Sequence, residues 1–447
     1  MEEDTIAAIA TAQGPGAIAV VRISGPRTLA VLEAMFAPGA SLPAPREARL
    51  RSLHDPGSGE LIDRALVTTF RAPDSFTGED AAELSCHGGR LTPALVLAGA
   101  LSAGCRRADP GEFTRRAYLN GKLDLLQAEA IGELIDADSP ALRRSAVFRM
   151  ERGLSERVEG LREAIIRVDA LLSYGIDFPE EDEPPVPAEA ILGAAAEARQ
   201  RMEHLLRTFP EGQRLRKGAL VVLAGRPNSG KSSLFNALLG RERAIVTEVA
   251  GTTRDALEVD TNLEGYPFRL VDTAGLRTTG DRVEAIGVEV ARRFLGEADL
   301  VLYCTEAGRE LGEDERTFLE GSTAPVVLVQ TKADRAGALE NGAKEVLVSS
   351  QSGAGLDRLR RELRERAFEG SGGEEEVPLL TRERHAQALR GSVTALEEFQ
   401  RALERGEPPE FASVHLRDAV TGLEELVGRV SPDDVLDEVF GRFCVGK

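Results

Sequence analysis

The sequence predicts a chain of α/β and all-α architecture in three parts: an N-terminal α/β domain, a helical domain split in sequence, and a second α/β domain inserted between its halves. Three observations carry this expectation. Short apolar runs alternate with turns over residues 1–118. From Asp124, and again after Thr381, apolar residues recur at helical spacing. Between those helical stretches, at 219–239, a buried-strand run meets a glycine-rich turn that opens a helix.

The elements follow in order. In the first domain 17–23 (AIAVVRI), 64–70 (RALVTTF) and 81–86 (AAELSC) read as strands, and 29–36 and 91–102 as helices. Leu125, Leu126, Ala130, Ile131, Leu134 and Ile135 then mark one apolar helix face, and amphipathic segments continue to about Tyr174. The acidic, proline-rich stretch 178–187 (FPEEDEPPVP) reads as a linker or exposed loop. A helix over 188–208 leads to the inserted domain, which starts near Lys217 and ends at Ser371-Gly372-Gly373, a flexible joint. The tail from Thr381 to Lys447 is helical and too short to bury its apolar face alone, so it is expected to pack on the earlier helices. The division is 1–118, 119–214, 215–373 and 374–447.

Composition excludes several classes. With 447 residues, 42% hydrophobic and 29% charged, the chain reads as globular. A net charge of -19 removes any general pull toward phosphate backbones, so contact with nucleic acid needs a local basic patch or a partner. Aromatics are 4%, without Trp, so stacking platforms for single strands are scarce. Cys86, Cys105, Cys304 and Cys444 are scattered, none at metal-ligand spacing, which points to a reduced, cytoplasmic protein. The acidic N-terminus does not read as a signal peptide. No apolar run reaches about 18 residues, so no membrane span is expected.

Gly225-Arg226-Pro227-Asn228-Ser229-Gly230-Lys231-Ser232 fits G-x-x-x-x-G-K-[ST] and sits between the strand run 219–224 and a helix 233–239. Its glycines let backbone N–H groups turn in around phosphates. Lys231 adds charge there, Ser232 can ligate Mg2+, and Ser233 follows in the same turn. Asp272-Thr273-Ala274-Gly275 ends a second apolar strand, 268–271, where an acid can hold the Mg2+ shell and Gly275 can approach a γ-phosphate. Gly251-Thr252-Thr253-Arg254-Asp255 lies between them as a candidate switch. Thr331-Lys332-Ala333-Asp334 follows a third strand, 326–330. One carboxylate at Asp334 can accept both parallel donors of guanine, a pair that adenine lacks. Thr331 stands where Asn is usual, a departure expected to weaken bonding between loops. Ser349-Ser350, after the strand 345–348, stands where a backbone N–H would meet the base oxygen. This motif order is that of a Ras-like P-loop G domain, with GTP as substrate.

Catalysis then needs an explanation. Ras-like proteins place a water-orienting Gln after the D-x-x-G motif, and here that position is Leu276. Arg277, Asp281 and Glu284 are the nearby polar residues. Asn228, in mid-loop, reads either as a turn residue or as a ligand for a monovalent cation whose charge replaces an arginine finger.

Beyond these motifs, 20–25 (VVRISG), 75–80 (SFTGED), 87–89 (HGG), 110–114 (PGEFT), 121–125 (GKLDL) and 443–447 (FCVGK) complete a pattern that resembles the MnmE, or TrmE, family of tRNA modification GTPases over essentially the whole chain. The resemblance implies a homodimer built through N-terminal domains that look like folate-binding domains. Each would hold a tetrahydrofolate derivative, 5-formyl or methylene, near Arg22, Glu83, Lys122 and Lys447. On the residues alone, Arg22 and Lys122 also read as plain surface cations. The resemblance further implies G domains that pair when K+ and GTP bind. Asn228, Thr247, Val249 and Thr252 would ligate K+, Ser232 and Thr253 would hold Mg2+, and Glu284 would orient water in place of the missing Gln. Cys444 would face the folate and take part in the chemistry, the alternative being a small buried anchor for the tail. With a flavin-dependent partner, the family places an aminomethyl or carboxymethylaminomethyl group on carbon 5 of the wobble uridine, position 34, of certain tRNAs. The competing readings are a ribosome-assembly GTPase of the Era or Der type, a GTP-regulated folate-dependent one-carbon transferase, and a switch that binds GTP without significant hydrolysis.

Overall fold

The computed structural model describes residues 4–12, 14–177, 187–240, 258–272, 293–335, 345–368, 380–430 and 433–446. They fall into two compact units, one of Met1–Gly132, Met150–Val158 and Glu424–Lys447, the other of Glu133–Arg149 and Glu159–Leu423.

The first unit is built on a six-stranded sheet. Its strands are β1 (Ile6–Ile9), β2 (Ile18–Ser24), β3 (Arg49–His54), β4 (Leu61–Phe70), β5 (Ala81–His87) and β6 (Arg106–Arg107), in the order β3-β4-β5-β2-β1-β6. All pairings are antiparallel except that of β1 with β6. Alternation explains the layering. Val21 and Ile23 of β2, Val67 of β4 and Leu84 of β5 point to one face and are fully buried. The helices Thr28–Met35 and Thr92–Ser102 cover that face with Val31, Leu32, Met35, Val96 and Leu97. Arg22 and Glu83 alternate with these residues and face the other way, where Ile6, Ala8, Ala108 and Phe113 form a smaller cluster.

Strands β2, β4 and β5 match the expected runs. The sequence reading did not mark β1, β3 and β6: β3 is an edge strand whose polar RLRSLH leaves only Leu53 buried, and β6 has two residues. A third core lies at the helical end of this unit. Leu125 and Ala128 meet Leu436, Val439 and Phe440 of the helix Asp433–Gly441, with Tyr118 and Phe443 packed on them. The expected helical tail stops there. Residues 442–446 leave helical geometry, and Val445 makes a β-bridge to Pro110.

The second unit carries a six-stranded sheet of β7 (Ala219–Ala224), β8 (Glu258–Leu263), β9 (Tyr266–Asp272), β10 (Leu300–Glu306), β11 (Val326–Thr331) and β12 (Glu345–Leu347). The order is β12-β11-β10-β7-β9-β8, parallel throughout except for the edge strand β8. Parallel strands covered on both faces read as continuous apolar runs, and all six residues of β7 are buried. The sequence reading passed over β10, although Leu300 to Cys304 is such a run. Helices of the same unit lie on either side of this sheet in sequence, and Ala188–Arg207 packs along Glu383–Glu404. Among the described residues no helix is long and apolar enough to cross a membrane.

Candidate nucleotide site and a second polar cluster

The phosphate loop leaves the end of β7 at Gly225. A Cβ there would sit 2.3 Å from the Cys304 carbonyl oxygen, and φ is +135°, so only glycine fits. Asn228 adopts φ +62°, a left-handed conformation that Asn tolerates better than most residues, and its side chain is exposed at the crest of the loop. Gly230 follows at φ +87° and hands the chain to the helix Lys231–Leu239. Lys231 is buried and curls back over the loop, its Nζ donating to the carbonyls of Gly225 (2.9 Å) and Arg226 (2.8 Å). Backbone N–H groups, a helix N-terminus and this ammonium therefore face one concavity, the arrangement that binds phosphates. Ser229 is buried, while Ser232 and Ser233 are exposed in the first helical turn.

Asp272 ends β9 opposite Leu223 of β7, which places a buried carboxyl beside the loop. Thr331 ends β11, and Lys332 and Asp334 follow it, Asp334 in the short turn Ala333–Arg335. The Thr331 hydroxyl donates to the carbonyl of Ser229 at 2.6 Å and lies 3.1 Å from that of Thr305. The expected weakening between loops does not appear in the geometry, because a hydroxyl in place of the usual amide still ties the guanine-reading segment to the phosphate loop. Gly230 makes room for it: a Cβ would sit 3.0 Å from that hydroxyl oxygen. Lys332, at φ +56°, pairs with Glu306 at 3.2 Å.

Asp334 receives the Ser349 hydroxyl at 2.7 Å. That bond chiefly holds its carboxyl below the ordinary range, so Asp334 presents an acceptor-only carboxylate. Ser349 spends its own N–H on the Ala354 carbonyl (2.9 Å). Thr247, Val249, Thr252, Thr253, Thr273, Ala274, Gly275, Leu276, Arg277, Asp281, Glu284 and Lys447 lie outside the described residues. Among the described residues no cluster of three or more His, Cys, Asp or Glu could hold a metal. A metal in this loop would rest on hydroxyls, backbone oxygens and phosphate, a donor set that suits Mg2+.

The first unit gathers most of the remaining sequence motifs. Arg22 and Glu83 face each other across β2 and β5, bonded at 3.1 and 2.8 Å, and the guanidinium lies 5.7 Å from the rings of both Phe76 and Phe113. Two residues on, the Ser24 hydroxyl lies 2.6 Å from that of Thr77 and 2.7 Å from Glu79. Asn120 donates to the Thr77 carbonyl (2.7 Å), and Lys122 to that of Pro73 (3.0 Å). The terminal segment joins them: Gly111 N–H donates to the Cys444 carbonyl (3.4 Å), and a Cβ on Gly446 would sit 2.4 Å from the Ile9 carbonyl. Ile9 pairs with Val21, the neighbour of Arg22. Cys444 itself is exposed.

Sequence reasoning missed the ion network beneath this cluster. Buried Arg116 bonds Glu112 (2.9 Å), Asp4 (2.7 Å) and Glu79 (3.3 Å), and Arg106 bonds Asp4 and Glu112. The i,i+4 spacing of Glu112 and Arg116 was the available signal.

Known proteins match both units. The family model described as the GTP-binding protein TrmE N-terminus matches residues 5–122, and that described as the MnmE helical domain matches 125–444. Curated relatives with the name tRNA modification GTPase MnmE include that of Salinibacter ruber, 39% identical over 459 residues and covering all of both chains. That of Geobacter sulfurreducens is 40% identical, covering 100% of this chain and 99% of its own. That of Methylobacterium radiotolerans is 43% identical over 452 residues, again covering both chains fully. A solved structure of Era from Aquifex aeolicus aligns with 39% of this chain and 66% of its own, at 27% identity and a TM-score of 0.28, too weak a superposition to inform the fold.

Proposed function

The chain belongs to the MnmE family of tRNA modification GTPases, and from that membership we propose that it is a K+-activated GTP hydrolase serving modification of carbon 5 of the wobble uridine. The observation that carries the reading is that the phosphate loop, Asp272 and the Thr331–Asp334 segment all follow the C-terminal ends of the parallel strands β7, β9 and β11. In this proposal Asn228, Ser229, Gly230, Lys231, Ser232 and Ser233 cradle the phosphates, and Asp334, with Lys332, Ser349 and Ser350, holds the guanine. Ser232 and Thr253 would hold Mg2+, whose Asp272-supported shell offsets charge on the phosphates. Asn228, exposed on its left-handed crest, would share K+ with Thr247, Val249 and Thr252. That cation would supply positive charge at the phosphates, the part an arginine finger plays elsewhere. Leu276 cannot orient water, so Glu284 takes that role.

The second cluster supports a tetrahydrofolate site. Glu83 offers a carboxylate to ring N–H donors, Phe76 is exposed beside it, and Arg22, Lys122 and Lys447 suit an anionic tail. Cys444 would face that folate. We extend the proposal to a cytoplasmic homodimer that works with a flavin-dependent partner. The domains would be 1–118 for folate binding and dimerisation, 215–373 for GTP, and 119–214 with 374–447 as one helical domain. No observation favours the ribosome-assembly or transferase alternatives. The test is GTP turnover in K+ against Na+, with and without the flavoprotein. Stimulation by K+ alone is expected, and equal turnover in the two salts overturns the cation assignment.

A further inference from the structure

The β8–β9 hairpin ends in Glu264 and Gly265, and this tip rests on the start of the helix Pro140–Met150, within the same compact unit. The first N–H groups of a helix have no partner of their own. Here the Ser139 hydroxyl accepts the N–H of Leu142 (3.2 Å), Pro140 has none to offer, and Ala141 donates to the Gly265 carbonyl at 3.0 Å. The hairpin thus completes the cap of a helix outside its own sheet. Ala141 is buried in the same core cluster as Leu263, Phe268 and Leu270 of the hairpin.

What makes this contact consequential is its place in the chain. β8 begins just after the candidate switch Gly251–Asp255, and β9 ends on Asp272, the first residue of the second switch motif. Six paired positions, from Glu258↔Val271 to Leu263↔Tyr266, bind the two strands into one ribbon. Because the two strands are paired along their length, a displacement at the base of the ribbon is carried to its tip. A contact of one backbone hydrogen bond and a small apolar patch is weak enough for nucleotide binding to bias.

We propose that docking of the hairpin tip on helix Pro140–Met150 is coupled to the nucleotide state and carries it out of the GTP-binding sheet. The proposal rests on the GTPase activity and not on the K+ or folate assignments. A Cβ built on Gly265 lies 3.8 Å from that of Pro140, the ordinary Cβ separation of a disulfide. The double variant P140C/G265C should therefore cross-link under mild oxidation. Gly265 lies at φ +85°, so G265C carries some backbone strain; failure of a folded double variant to cross-link overturns the contact itself. In the oxidised protein, the ratio of affinities for GDP and a non-hydrolysable GTP analogue should change by at least about fivefold, reverting with reductant. P140C and G265C alone should show no such response to oxidant. An unchanged ratio in the cross-linked protein overturns the proposal.

Discussion

Glu133 offers the sharpest test of how the second unit is held together. It is 5% exposed and joins three other segments of that unit. Arg149, itself 1% exposed, bonds it, and Thr381 donates at 3.1 Å. Arg382 donates at 2.9 Å, and Arg216 lies 3.9 Å away, just before β7. Thr381 and Arg216 flank the sheet in sequence, so one carboxylate ties the segment leading into it to the segment leaving it. A Cβ on nearby Gly212 would sit 2.1 Å from the Leu380 carbonyl, which shows how closely these segments approach. Burial alone raises the Glu133 carboxyl, but Arg149 and Arg382 more than offset this and hold it at about 2, against 4.5 ordinarily. That difference corresponds to about 3 kcal/mol at roughly 1.4 kcal/mol per pH unit. A separate route gives the same size, since removing one partner of a buried ion pair costs about 3–5 kcal/mol. E133Q should therefore lose about 3 kcal/mol at pH 7 in urea unfolding followed by circular dichroism. Because the folded-state pKa is depressed, the wild-type advantage is complete above about 4.5 and disappears as pH falls toward about 2. The apolar pair E133L/R149M should recover only part of the loss, because Arg382 and Thr381 still lose the carboxylate they bond. A loss in E133Q below about 1 kcal/mol, or one that does not depend on pH, would refute the reasoning.

Three further outcomes are expected. T331V removes the donor that joins the two loops and leaves the Ser229 carbonyl unmatched; GTP affinity should fall by about 1–3 kcal/mol in nucleotide titration while T331S stays near wild type, and equal affinity in T331V would sink the role given to the hydroxyl. E284A should cut hydrolysis by roughly 10²–10⁴ with GTP binding spared, so a fully active variant removes Glu284 from catalysis. G446A forces a Cβ against the Ile9 carbonyl at φ +97°. It should cost about 1–3 kcal/mol and free the terminal segment for proteolysis, so a tail as protected as in the wild type contradicts the packing.

Much of this was legible in the sequence, for reasons that differ by element. The strands β2, β4, β5, β7, β9 and β11 announce themselves because one or both of their faces are buried. β3 and β8 do not, because an edge strand with a polar face carries little apolar signal. The phosphate loop and Asp334 are local patterns, and local patterns survive in sequence. What Thr331 does is not local. Its partners, Ser229 and Thr305, lie 102 and 26 residues away, and only the fold brings their carbonyls to one hydroxyl. The same holds for Arg116 and Glu133, whose partners come from up to 112 and 249 residues away. A buried charge is paired by topology, which a single chain of letters does not display.

The terminal motif bears on two readings that the sequence left level. Cys444 was either a reactive group or a small buried anchor for the tail. An anchor would bury its sulfur, and this one is exposed. The anchoring falls to its neighbours. The Phe443 ring lies over Gly132, where a Cβ would sit 3.1 Å from it, and packs 5.9 Å from Phe440. Val445 bridges to Pro110, and Gly446 is pressed on Ile9 where no side chain would fit. Gly111 likewise lacks room for a Cβ, which would lie 2.5 Å from the Phe440 carbonyl. The backbone is thus pinned on both sides of an exposed thiol, against β1 and Pro110. Fixing the main chain so tightly is unnecessary if the side chain only fills space. We propose that it serves a thiol that meets a ligand at a set position.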